Sequence, residues 1–278
     1  MTQKKEGYLK SHDQHRLYYQ SCHPQKSSAV LILVHGLNEH LGRYDHFVDY
    51  FKDQYTVYLY DQRGHGRSDG ARSHVAFFED YIKDLDEFIR FVARAEKNKG
   101  IFLVGHSFGG QIVINYLAEH SIPIIRGFIT SSANIRVKIK INPIKKYLGR
   151  ILASHMPRMM LSNQIDPKWI CRDKAVVRAY ENDPMVGRKV SLMLVSLMLA
   201  NQDKIMDMAS HIYTPAMMMH GGDDRICDKS GTIDFFERLR SEEKALKIFD
   251  GMYHEIFNEM GREQVFAEMA SWLKGRSG

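Results

Sequence analysis

Gly105-His106-Ser107-Phe108-Gly109, followed by Gly110, is the stretch whose residue types and spacing carry the most chemistry. A G-x-S-x-G segment at the junction of a buried strand and a helix forces the chain into a turn so tight that little beyond hydrogen fits two positions before or after the serine. The serine hydroxyl is thrust outward at a helix amino terminus, where the dipole favours developing negative charge. A hydroxyl is a poor nucleophile until a base removes its proton, so Ser107 calls for a histidine held by a carboxylate. In an open α/β sheet, such partners lie beyond the carboxyl ends of later strands, in the order serine, acid, histidine. PAMMMHG is followed by Gly222-Asp223-Asp224-Arg225, and KALKIFD by Gly251-Met252-Tyr253-His254. Asp224 and His254 are therefore the candidate partners, with Asp223 and Asp228 still open as the acid on position alone. Acyl transfer also needs hydrogen-bond donors for an oxyanion. The backbone N–H groups of Phe108, after the nucleophile, and of Leu37, after His35-Gly36, are positioned for that, with His35 itself read as a structural hydrogen-bonding residue.

Competing motifs fail. His254-Glu255-Ile256-Phe257-Asn258 begins like H-E-x-x-H but lacks the second histidine, so it argues against a zinc site. GHGRSDG has the wrong glycine spacing for a dinucleotide fingerprint, and no G-x-x-x-x-G-K-[ST] phosphate loop occurs. Cys22, Cys171 and Cys227 are odd in number and far apart, which speaks against both a disulfide framework and a Cys-x-x-Cys metal site.

The elements that must position these residues follow from periodicity. AVLILVHG, YTVYLYD, IFLVGH and IRGFITSS are continuous apolar runs, as expected of parallel strands buried on both faces. EGYLKSHDQHRLYYQSC reads as two short strands around a polar turn, and apolar residues from Phe77 to Val92 fall at helical spacing, predicting an amphipathic helix over about 75–96. Short connections between alternating strands and helices predict an α/β fold with a mostly parallel central sheet. The alternation stops from 133 to 210, which is helix-like and rich in Met, Lys and Arg, and then returns with PAMMMHG, a helix around 232–239, KALKIFD and a last helix over 261–274. The expected organisation is a core of residues 1–132 and 211–278 carrying an insertion over 133–210.

The chain has 278 residues, 44% hydrophobic and 26% charged, the proportions of a globular protein and not of a disordered or collagen-like one. Its apolar runs fall short of the ~20 residues of a membrane span, and no apolar segment follows MTQKKEGYLK as a secretory signal requires, so an intracellular, cytoplasmic location is expected. The formal charge of +6 comes mostly from basic residues interleaved with acids, which argues against nucleic acid as a partner.

Taken together, these segments resemble the α/β-hydrolase superfamily, and within it the monoacylglycerol lipase and lysophospholipase branch of the serine aminopeptidase S33-like hydrolases. The resemblance runs over nearly the whole chain, through the EGYLKSHDQHRLYYQSC start, HGLNEHLGRY, DQRGHGRSDG, GHSFGG, Glu181-Asn182-Asp183-Pro184, GDDRICD and Tyr253-His254. It selects Asp224 over its neighbours as the acid. It implies an α/β-hydrolase fold with a helical cap over the site, cleavage of a single-chain acyl glycerol ester with release of a fatty acid, no metal or organic cofactor, and a polar head-group end of the pocket near Glu39 and Arg43. Lysophospholipids, thioesters or a second alcohol as acyl acceptor are the alternatives on the same scaffold. Phe108 departs from a methionine common at its position, and Phe257 from a histidine near the glycerol.

Within the insertion, RVKIKINPIKKYLGR carries Arg136, Lys138, Lys140, Lys145, Lys146 and Arg150 without an acid, interleaved with Ile141, Ile144 and Leu148 and continued by Ile151 and Leu152. A basic amphipathic segment of this kind suits peripheral contact with an anionic membrane surface. Met156, Met159, Met160, Met193 and Met198 are expected to form an adaptable apolar wall for acyl chains, and Cys227, beside the acid, is a candidate for sensitivity to thiol reagents.

Overall fold

The computed structural model describes residues 2–139 and 142–276. Two strands, β1 (Gln3–Lys10) and β2 (Arg16–His23), form an antiparallel hairpin, and β2 pairs antiparallel with β4 (Tyr55–Tyr60). From there the sheet is parallel through β3 (Ala29–Val34), β5 (Ile101–His106), β6 (Ile125–Ser131), β9 (Ala216–Gly221) and β10 (Lys244–Phe249), giving the spatial order β1-β2-β4-β3-β5-β6-β9-β10. The chain winds outward in opposite directions from β3 and β5, so the crevice beyond their carboxyl ends is where such a sheet binds ligands.

The uniformly apolar strands are explained by the two cores they separate. Val30, Ile32 and Val34 of β3 point into one, packed with helices α2 (Glu79–Ala95), α3 (Phe108–Glu119) and α8 (Lys229–Arg238). Leu31 and Leu33 point into the other, with α1 (Asp45–Phe51) and α9 (Arg262–Lys274). Alternation by two along a strand buried on both faces thus appears in sequence as an unbroken run. Helix α2 starts at Glu79, later than periodicity predicts, because Val75 and Phe78 reach the core from the preceding turn. A 3₁₀ turn over Leu41–Tyr44 and the seven-residue α1 have too few turns to show a period.

Among the described residues, the 133–210 segment contributes no strand to the large sheet. It holds α4 (Pro143–His155), α5 (Lys174–Asn182), α6 (Leu192–Gln202) and α7 (Ile205–Met208). It also contains a small antiparallel ribbon of β7 (Met160–Ser162) and β8 (Lys189–Ser191), where only helices were expected. Ile170, Cys171, Tyr180 and Val186 make a separate apolar cluster inside it. Lys140 and Ile141 of the basic stretch lie outside the described residues. Among the described residues, no helix is long and apolar enough to cross a membrane.

Candidate active site

Ser107 occupies the hinge between β5 and α3 with φ +50° and ψ −114°, a backbone state that costs an L-residue on the order of 1–3 kcal/mol. The flanking glycines make that turn possible. A Cβ on Gly105 would fall 2.7 Å from the Gly109 carbonyl oxygen, and one on Gly109 would fall 2.1 Å from the Val34 carbonyl oxygen. The turn is held by Ser107 N–H donating to Ser131 O at 2.9 Å and by Asn134 N–H donating to Ser107 O at 2.9 Å. The Ser107 side chain does not cap α3. Its Oγ instead lies 2.9 Å from His254 Nε2, and His254 Nδ1 lies 2.7 Å from Asp224 Oδ2.

Each partner arrives from the loop after its strand. Asp224 follows β9, and its Oδ1 accepts the N–H groups of Ile226 at 2.7 Å and Cys227 at 3.0 Å. Burial opposes its ionisation, but the His254 charge and hydrogen bonds from His220 and His254 outweigh it, so the carboxyl titrates well below its ordinary range. His254 follows β10. Burial disfavours its charged form, yet the charge and hydrogen bond of Asp224, aided by Glu255 and Glu39, hold it above the ordinary imidazole value of 6.5. Beside it, burial first and His254 second push His106 down to about 4. Of the three aspartates open on position, Asp223 is exposed and Asp228 caps α8 through Ser230 N. Only Asp224 reaches the imidazole.

Among the described residues, neither the Leu37 nor the Phe108 amide has a hydrogen-bond partner. Both residues line the cavity with Ser107. The loop bearing Leu37 is braced from behind. Gly36 N–H donates to Glu39 Oε1 at 2.5 Å, and Tyr44 Oη–H to the same oxygen at 2.6 Å. The Asp61 carboxylate, from the DQRGHGRSDG motif, accepts Leu41 N–H at 2.8 Å and Arg67 N–H at 2.7 Å. His35 is fully buried, with Nε2 accepting Gln62 N–H at 3.0 Å.

Glu39 and Arg43, which the resemblance implies near the head-group end of the pocket, are not among the residues that line the cavity. The reason is that their polar atoms are already engaged with one another and with Glu255. Arg43 donates to Glu39 at 2.7 Å and twice to Glu255 at 2.7 Å, and its guanidinium lies over the Tyr180 ring. Glu39 is buried and the Arg43 side chain is 8% exposed, so they are not a solvated pair, and they tie the loop after β3 to the loop carrying His254. Of the five methionines expected along an acyl wall, only Met198 lines the cavity. Phe108 instead stacks edge-on against Phe78 and Tyr81, and Phe257 packs on Phe47 and Phe266.

The cavity encloses about 700 Å³. Ser107, Phe108, Leu37 and Cys227 form part of its wall, with Val190, Leu192, Val195, Met198 and Leu199 supplying an apolar side. Lys145, Lys146, Arg150 and Arg225 also border it, and among the described residues no carboxylate does. Lys146 and Arg150 share Asp203, whereas Arg225 lies over the Tyr253 ring. Cys227 is 1% exposed, and burial followed by the Asp224 charge pushes its thiol well up. Among the described residues, two groups of side chains lie close enough to share a cation: Asp224, Cys227 and His254, and His12, Asp13 and Asp84. The first is taken up by the hydrogen bonds above, and in the second both carboxylates already pair with Arg63.

Residues the sequence did not single out are Asn134, whose side chain borders the cavity and accepts from Gln202, and His220, which contacts Asp224. His220 stands at the end of β9, and a histidine four residues before an acid was the available signal.

A family model described as "Serine aminopeptidase, S33" matches residues 25–261. The Bacillus subtilis phospholipase YtpA is 31% identical over 86% of this chain and 92% of its own. An uncharacterized abhydrolase domain-containing protein of Dictyostelium discoideum is 36% identical over 90% of this chain, but that match spans only 27% of the Dictyostelium protein. The crystal structure of Paleococcus ferrophilus monoacylglycerol lipase superposes with a TM-score of 0.85 at 30% identity, covering 94% of this chain and 99% of the lipase.

Proposed function

We propose, from the premise that the chain belongs to the serine aminopeptidase S33 family of α/β-hydrolases and is a hydrolase of the lipase and esterase type, that it cleaves monoacylglycerols to fatty acid and glycerol through an acyl-enzyme. The observation that carries this reading is the linear contact from Ser107 Oγ to His254 Nε2 and from His254 Nδ1 to Asp224 Oδ2, opening on a largely apolar cavity. Ser107 attacks the ester carbonyl while His254 takes its proton, and Asp224 holds the imidazole in the required tautomer and stabilises its cation. The developing oxyanion is received by the Leu37 and Phe108 amides, each such donor being worth about 10²–10³ in rate. His254 returns the proton to the departing alcohol, then activates water to release the acid. Residues 1–132 and 211–278 serve as the hydrolase core, and 133–210 as a cap forming the acyl-chain side of the cavity.

A second reading is favoured by the cations that border the cavity without a carboxylate: a lysophospholipid with an anionic head group. The similarity to a phospholipase supports it further. One panel separates the two readings, comparing monoacylglycerols of graded chain length with lysophosphatidylcholine and lysophosphatidylglycerol. The first reading expects monoacylglycerols to be preferred, with turnover at low substrate rising with chain length, since each buried methylene contributes ~0.8 kcal/mol. A preference for either lysophospholipid would replace it. Loss of all turnover in Ser107→Ala, with loss of labelling by a fluorophosphonate, is required by both; labelling that persists at another residue would discard both.

The same reading includes peripheral contact with a membrane. Ile144, Tyr147, Leu148, Ile151 and Leu152 of α4 are exposed, Ile144 by 69%, next to Lys145 and Arg150. Apolar side chains flanked by cations suit an anionic bilayer surface.

A further inference from the structure

Asp224 is held by a side chain outside the set of residues assigned above. His220 closes β9 and is wholly buried, with Nε2 3.0 Å from Asp224 Oδ2 and Nδ1 2.7 Å from Thr232 Oγ1 on α8. Thr232 is also wholly buried, and neither residue borders the cavity. An ionised carboxylate only accepts hydrogen bonds, so Nε2 carries the hydrogen on that side. In the neutral ring Nδ1 is then an acceptor, and the Thr232 hydroxyl donates to it. The carboxylate thus sets the tautomer, and the threonine satisfies the Nδ1 lone pair that this tautomer leaves.

The other donors to that carboxylate are the Ile226 and Cys227 backbone amides on Oδ1 and His254 on Oδ2. Oδ2 is thus shared between two imidazoles, and without His220 it would be held by His254 alone, with Oδ1 still on the two backbone amides. We propose that His220, its Nε2–H form supported at Nδ1 by Thr232, is a positioning residue that fixes Oδ2 of Asp224 in line with His254 and tempers the pull of that oxygen on the His254 proton. This rests on the assignment of Ser107, His254 and Asp224 in the preceding subsection.

The sign follows from electrostatics. The His220 N–H turns its positive end toward Asp224, so its removal leaves a stronger negative field at His254, which then holds its proton more tightly. The other groups facing His254 are His106 from β5, at 5.0 Å between rings, Cys227 from the loop after β9, Glu255 from its own loop, and Glu39 with Arg43 from the loop after β3. Of these, only Cys227 is touched by His220, through its backbone carbonyl at 3.4 Å from Nε2.

The test uses His220→Leu, His220→Gln and Thr232→Val. Each is read by the pH dependence of labelling with a fluorophosphonate and by kcat and KM on p-nitrophenyl butyrate, with folding checked by thermal melts. Wild-type protein that neither labels at Ser107 nor turns over the ester refutes the underlying assignment, which separates that failure from failure of the present proposal. With an active wild type, His220→Leu is expected to lower kcat about 10- to 100-fold, the scale of losing one hydrogen bond to a charged group, with KM little changed and the acid limb moved to higher pH. His220→Gln keeps an N–H donor and is expected to restore most of the rate and the limb. Thr232→Val is expected to fall between. A folded His220→Leu with wild-type kcat and limb overturns the proposal, as does a folded His220→Gln no better than the leucine variant. Should His220→Leu not fold, Thr232→Val decides, and an unchanged rate and limb there count against the proposal.

Discussion

Helices α3 and α4 both border the cavity, yet ten of the twelve residues of α3 are buried, whereas α4 buries Ala153 alone among its thirteen. In α3, Gly109 and Gly110 let the helix press against the carbonyl end of β3 and against Ala133, so the turn at Ser107 has no freedom to relax. In α4, a Cβ on Gly149 would meet nothing, and the helix packs on α6 with Lys146 and Arg150 meeting Asp203. Chemistry that depends on tenths of an ångström sits on the rigid side, and contact with a substrate of variable shape is left to the loosely packed one. Surrounding structure must over-determine a strained backbone state for it to persist, and only α3 has such surroundings.

The sharpest way to break this contrast is at the rigid side. Asp224→Asn keeps the shape but leaves His254 with the wrong tautomer, and kcat is expected to fall by roughly 10⁴, by analogy with the serine protease triad. Near-normal turnover would mean that another acid serves. Gly109→Ala is expected to lower stability by about 3 kcal/mol or more, since its Cβ would meet backbone that cannot move aside. A chemical denaturation curve reads this directly, and an unchanged midpoint would show that the elbow yields more than its packing suggests.

The acid limb of kcat/KM should have its midpoint above 6.5, because His254 must be neutral to accept the serine proton and its folded value is raised. The same shift makes His254 a stabilising group below 6.5 that loses its contribution as pH rises through the folded value. Asp224, whose folded value is depressed, stabilises above the ordinary carboxylate range and ceases to do so as pH falls through that depressed value. A limb lying below 6.5 would mean that burial outweighs the charge and hydrogen bond of Asp224 at the imidazole.

On the loose side, replacing Ile144 and Leu148 together by serine is expected to weaken binding to phosphatidylglycerol vesicles at least about tenfold while leaving hydrolysis of a short water-soluble ester unchanged. Equal binding by co-sedimentation would remove α4 from the contact. The smallest effect is expected from Gly149→Ala. In open space within a helix, it should stabilise by up to about 1 kcal/mol, opposite in sign to the same change at Gly109.

The same division governs what could be read from residues alone. The buried strands and the elbow were legible because burial on both faces and a steric ban on side chains leave marks in consecutive residues. The order of Ser107, Asp224 and His254 was legible because each follows its strand directly. The β7–β8 ribbon was not, since Met160–Ser162 and Lys189–Ser191 are three residues each and meet only through the fold. The buried state of Glu39, Arg43 and Glu255 was also hidden, because Arg43 and Glu255 lie 212 residues apart in the chain, and an isolated Glu with an Arg four positions on reads as a surface pair. His220 escaped notice because its role depends on where Thr232 of α8 stands.

Helix α4 and its N-cap border the cavity through Asn142, Lys145, Lys146, Gly149 and Arg150, while Ile144, Tyr147, Leu148, Ile151 and Leu152 of the same helix are exposed. Under the membrane contact proposed above, a lipid layer would cover those side chains beside the cavity, and an acyl chain need not cross bulk solvent to enter. The effective concentration is then the mole fraction of ester within the layer. Diluting the ester with inert lipid is expected to slow turnover even when the amount per millilitre is held constant.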